Sequence, residues 1–372
     1  MKLDPFLFFV SLFFSLAGLL LEDVTSAGLQ WVAILKYIPM LILYIKYFDW
    51  SFASFLPLVF AIVLLLLSFG GGHYSMAGIL VSVMLPVTLF VYTKLTFTRR
   101  QISIMVLMFF AAYFLYVIIG FFTHNNINPN QISFKILILT VILFFGIFAK
   151  DGGHRLVIHT YNGRKRILGP PGLSFFLVLS LMLILITECR NSLLVYLILI
   201  AAFVVKDRVA KWDKWGWILF GLLVLYVLYP FVYCLLSESL HHTANTEMMG
   251  QDVFSGREII WSYLLMKVTT DPTAFFFGDI DTEWWGKSMH NSALDFLVKY
   301  GVPIMVIMEL IVLFYFNKIC STIKNKYKPL LLLVIGTMIW GVNESGMFLG
   351  FSFYLFLPCC ILRSKNKSVI GK

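Results

Sequence analysis

Met289-His290-Asn291-Ser292 closes the only long polar segment of a chain that is otherwise apolar. A neutral imidazole, with an ordinary pKa of about 6.5, can take a proton from a hydroxyl near neutral pH. Two arginines could serve the same chemistry. Arg190 lies in Thr187-Glu188-Cys189-Arg190-Asn191, a tight turn between two apolar runs. Arg257 lies in Ser255-Gly256-Arg257-Glu258-Ile259-Ile260-Trp261. The planar guanidinium fork binds two oxygens at once and therefore suits a phosphate.

Each residue also has a plainer reading. An arginine at the end of an apolar helix can reach the lipid headgroups and anchor the helix there. Arg257 reads as a solvated first-turn residue, since Ser255 and Glu258 have capping-box spacing. A positive charge is disfavoured at a helix N-terminus, so Arg257 calls for an anionic partner. A lone histidine can be structural, but nearby arginines and a helix N-terminus both favour a neutral, basic imidazole at His290.

Competing motifs are weaker. Asp279-Ile280-Asp281 could hold a divalent cation on a diphosphate, or be a solvated acidic loop. Gly286-Lys287-Ser288 ends like a phosphate loop, but Asp281 stands where the first glycine is needed, and the reading is rejected. Trp284-Trp285 suits sugar stacking or, better, the membrane interface. His73, His124, His241 and His242 lie in short or polar loops with no partner motif.

The elements that must position these residues are membrane helices. The chain of 372 residues is 60% hydrophobic and 13% charged, where a soluble domain has about 25% charged residues. Apolar runs reach the roughly 17–25 residues that cross a bilayer, and they do not alternate as barrel strands do. About 12 spans (10–12) are expected, at 6–21, 29–48, 52–69, 76–93, 101–122, 132–149, 172–187, 191–206, 215–236, 301–317, 328–342 and 346–362. With the N-terminus inside, the inner loops and tails hold 22 of the 29 Lys and Arg and 5 of the 19 Asp and Glu. The net charge of +10 is thus an inside-positive bias rather than a nucleic-acid signal.

A single membrane domain is expected over 1–372, with one large outer loop at 237–300 that carries short surface helices. Ile259, Ile260, Tyr263 and Leu264 fall on one face of one of them, with Arg257 near its start. The first run reads as a retained helix rather than a cleaved leader. Cys189, Cys234, Cys320, Cys359 and Cys360 lack the spacing of a disulfide framework or a zinc site.

In these features the chain resembles the O-antigen polymerase and O-antigen ligase superfamily of bacterial inner membranes. The shared pattern is His, then Asn, Ser or Gln, then nine residues, Gly, two residues, and Gly, Thr or Tyr. Here it reads His290-Asn291, Ser292 to Tyr300, Gly301, Val302-Pro303 and Ile304, with the last position departing from the pattern. Gly256-Arg257 with Trp261, and an arginine at an outer helix turn, are similar too. The likeness covers about residues 170–362.

The resemblance implies an all-α, multi-pass, GT-C-like membrane glycosyltransferase, inverting and metal-independent, with no cofactor. Its active site would be periplasmic and both termini cytoplasmic. The donor would be an undecaprenyl-diphosphate-linked oligosaccharide drawn from the membrane lipid. Arg190 and Arg257 would bind the leaving diphosphate and His290 would be the base, supported by Asn291, Gly256 and Gly301. A chain-length regulator and a flippase are the implied protein partners. Polymerase is preferred over ligase, which would use lipid A–core as acceptor, because the chain is short, Phe-rich and slightly degenerate in the motif. A transporter or flippase is the reading from another class, and its signal would be Lys36 and Glu309 within spans.

Overall fold

Helix occupies every one of the twelve expected apolar intervals, and the computed structural model sets where each helix begins and ends. The structure describes residues 3–21, 34–69, 76–123, 129–150, 156–159, 165–169, 171–187, 189–205, 214–241, 247–248, 251–252, 257–282, 284, 289–343 and 352–367. In chain order the helices are α1 (Leu3–Leu21), α2 (Tyr37–Tyr47), α3 (Phe52–Phe69), α4 (Met76–Lys94), α5 (Arg99–Thr123) and α6 (Pro129–Lys150). They continue as α7 (Pro171–Ile186), α8 (Arg190–Val205), α9 (Trp215–His241), α10 (Arg257–Thr270), α11 (Pro272–Phe277) and α12 (Ser292–Cys320). A 3₁₀ turn over Asn325–Leu330 leads into α13 (Leu331–Asn343), followed by α14 (Ser352–Leu355) and α15 (Leu357–Lys367). Two short antiparallel ribbons, Leu156–His159 with Lys165–Gly169 and Glu247–Met248 with Gln251–Asp252, qualify the all-α expectation. Both fall in loops.

Among the described residues, five helices are long and apolar enough to cross a membrane: Leu3–Leu21, Phe52–Phe69, Arg99–Ile118, Trp215–Glu238 and Ser292–Cys320. Shorter apolar helices stand between and after them. Their outward faces expose large apolar side chains, among them Phe13, Ile62, Leu66, Leu107, Met182 and Leu235. So much exposed hydrocarbon suits lipid and not water. The chain is a helical membrane protein.

α6 is the column around which the rest is arranged. Every residue from Ile132 to Gly146 is buried, and α5, α7, α8, α13 and α15 all pack on it. A helix apolar on all sides belongs in the middle of a bundle. Small hydroxyls tie it to its neighbours. The Ser133 and Ser192 hydroxyls meet at 2.6 Å, and Thr140 donates to Ser180 at 3.0 Å. In lipid, packing and such bonds replace the hydrophobic effect as the cohesive force between helices.

The end of the bundle assigned to the inside is tied by side chains. Arg363 of α15 donates to the carbonyls of Thr93 and Leu95 at the end of α4. Ser364 accepts the Phe97 N–H at 2.8 Å. Lys46 pairs with Asp4, and Lys94 with Asp49.

Candidate functional site

α12 starts at Ser292, nine residues before the expected 301. Asn291 explains the early start. Its Oδ1 accepts the N–H groups of Ala293 and Leu294 at 2.9 and 3.0 Å, which caps the helix. Its Nδ2 donates to the Tyr226 carbonyl of α9 at 3.0 Å. Asn291 is fully buried, so one side chain both begins α12 and fastens it to α9.

Gly301 is where α12 bends. Its φ of +80° and ψ of 174° are non-helical, and the two parts of the helix meet there. A side chain could not replace the hydrogen: a Cβ would lie 2.6 Å from the Phe275 carbonyl oxygen. Gly278, with φ +70°, faces it in the same way, since its Cβ would lie 2.5 Å from the backbone nitrogens of Tyr300 and Gly301. The end of α11 thus rests backbone to backbone on the bend of α12. The Ile280 N–H donates to the Val298 carbonyl at 3.1 Å. The Tyr300 hydroxyl meets that of Ser82 in α4 at 2.8 Å.

α10 completes the arrangement. It buries Ile260, Trp261 and Leu264, while Ile259 is 57% exposed. Trp261 decides the orientation. Its ring packs against Tyr233 and Tyr229 of α9 at 4.8 and 5.8 Å. Its Nε1 donates to the Met289 carbonyl at 2.7 Å. Arg257 lies one turn before Trp261 on the same stripe, where residues four apart are neighbours. Through Trp261, α10 is therefore docked onto the segment that holds His290.

His290 has φ +54°, a left-handed conformation that histidine adopts more readily than most residues. Both flanks are clamped, Met289 by Trp261 and Asn291 by Tyr226. The side chain is half-buried and stands just before the N-terminal end of α12. The arrangement offers a fixed imidazole at a helix N-terminus, with a guanidinium carried on the adjacent helix.

The other expected residues fare differently. Arg190 is the first residue of α8, but its side chain lies outside the described part, as does Gly256. Asp279 and Asp281 are exposed in the turn after α11. Among the described residues no three His, Cys, Asp or Glu gather as metal ligands. Three features went unread. Tyr226 as an anchor has no local signature. Gly278 could have been found as the glycine ending α11. Lys135 was legible as an ionisable residue within an apolar run; it is buried and donates to the Leu19 carbonyl at 3.4 Å.

Comparison with known proteins found no matching family model, no matching curated protein and no matching solved structure.

Proposed function

We propose that the chain is a membrane glycosyltransferase of the O-antigen polymerase kind, with about 12 spans, cytoplasmic termini and its site on the periplasmic side. The observation that carries this reading is the Trp261–Met289 hydrogen bond, which docks the helix bearing Arg257 onto the segment bearing His290. A second feature supports it. Glu258 Oε2, next to Arg257, is buried without a hydrogen-bond partner, an arrangement that costs about 1–3 kcal/mol unless a polar ligand or water satisfies it.

In the proposed reaction a ring nitrogen of His290 takes the proton of an acceptor sugar hydroxyl. The acceptor oxygen forms a bond to the anomeric carbon, and the bond from that carbon to the diphosphate oxygen breaks. Arg257 and Arg190 hold the departing diphosphate, where added charge is most valuable as the bond opens. Attack from the face opposite the leaving group inverts the anomeric centre.

The test uses purified protein and a cognate undecaprenyl-diphosphate repeat, with and without chelator. A ladder of lengthening glycans that survives chelator is expected. Product only after lipid A–core is added would make the protein a ligase. A requirement for divalent cation would shift the site to Asp279 and Asp281.

Transport has one specific observation in its favour: Lys36 and Lys135 are buried, and Glu309 Oε1 is buried without a hydrogen-bond partner, all within apolar helical segments. Such residues in membrane helices often mark substrate paths. Loss of function in Glu309→Gln with full activity in His290→Asn would favour that reading.

A further inference from the structure

We propose that a groove between the start of α9 and the last turns of α12 binds an anionic glycerophospholipid. The groove has a volume of about 650 Å³ and is lined by Lys214, Gly216, Trp217, Phe220, Leu313 and Asn317. Asn317 lies 16 residues beyond the bend at Gly301, roughly 24 Å along the second arm of α12 at 1.5 Å per residue. The groove is thus at the far end of that arm from the bend, the end that the charge count assigns to the inside.

Its lining is that of an amphiphile site. Trp217 is 70% exposed and Phe220 41%, and their rings meet edge to face at 5.9 Å. With Leu313 they make an apolar wall for an acyl chain. Lys214 and Asn317 are exposed at the same groove and supply donors for a phosphate. The lining residue that carries charge is a lysine, Lys318 follows Asn317, and Lys206, Arg208 and Lys211 precede Lys214 against Asp207 and Asp213. Basic groups beside a membrane helix attract anionic headgroups. The shape depends on Gly216. A Cβ there would lie 2.2 Å from Asn317 Oδ1, so a side chain would drive the amide out of the wall.

The proposal is independent of the transferase reading. It is tested with the full-length protein in phosphatidylcholine nanodiscs doped with brominated phosphatidylglycerol or, separately, brominated phosphatidylcholine. Bromine quenches nearby tryptophans, and the difference between wild type and Trp217→Phe isolates the share of Trp217. At equal mole fraction the anionic lipid should quench that share several-fold more. Lys214→Gln, an exposed change, should cut the preference about fivefold, the worth of one lysine near a charged surface. Gly216→Leu should abolish it. Equal quenching by both lipids, or an unchanged preference in Lys214→Gln, would overturn the proposal.

Discussion

At the end of the bundle that carries His290, the chain holds its shape with uncommon backbone: φ is +54° at His290, +50° at Asp279, +70° at Gly278 and +80° at Gly301. At the opposite end, regular helices are held by side chains, with Arg363 on two carbonyls, Ser364 on the Phe97 N–H, and the Asp4–Lys46 and Asp49–Lys94 pairs. Trp50, with φ +56°, is the one described residue of that end with such a backbone. The contrast is instructive. Left-handed residues cost free energy and persist where surrounding contacts over-determine them, which is common at functional sites. Exposed ion pairs hold little energy, and here they join the ends of neighbouring helices. One end is held by special backbone, the other by side chains.

The comparison can be broken at several points. The largest effect is expected from His290→Asn. Asparagine tolerates positive φ, so the backbone should survive; under the transferase proposal the base is lost and transfer should slow by about 10²–10⁴-fold. Product ladders timed against a thermal melt separate the two. A variant that turns over like wild type would remove His290 from the chemistry. Gly301→Ala should act on the structure instead. A methyl pressed on the Phe275 carbonyl at φ +80° should cost about 2–4 kcal/mol of stability, read as a lower melting temperature in detergent. An unchanged melt would mean that the α11–α12 contact is not as tight as described.

Trp261→Phe sharpens the contrast. The ring stays, the Nε1 donor goes, and the Met289 carbonyl loses its partner, at a cost of about 1–2 kcal/mol. Under the transferase proposal its rate should fall further than that stability loss accounts for, because His290 is no longer clamped. Equal rates in folded Trp261→Phe and wild type would make the bond a packing detail. Lys94→Gln should do least. The Lys94 ammonium, followed by the Ser51 hydroxyl, holds the Asp49 carboxyl well below the usual carboxylate range. That contribution is present above the ordinary carboxylate pKa of about 4 and is lost as pH falls below it. Wild type and variant should therefore differ slightly at pH 5–8 and converge in acid. A shift of many degrees at pH 7 would show that this end is as finely built as the end that carries His290.

The sequence alone determined the apolar helices and picked out Asn291, which caps α12. Apolar runs are summed over many residues, so single errors average out. It did not show the first arm of α12, Ser292 to Tyr300, or that α10 packs through Trp261. Both depend on contacts with α9: the Tyr226 carbonyl takes Asn291, and Tyr229 and Tyr233 take Trp261. Only the tertiary structure set Gly278 against Gly301 and bound Trp261 to Met289. These are meetings of backbone and side chain between segments far apart in the chain. Local pattern states which face of a helix is apolar, and the neighbour that fills it is decided by packing.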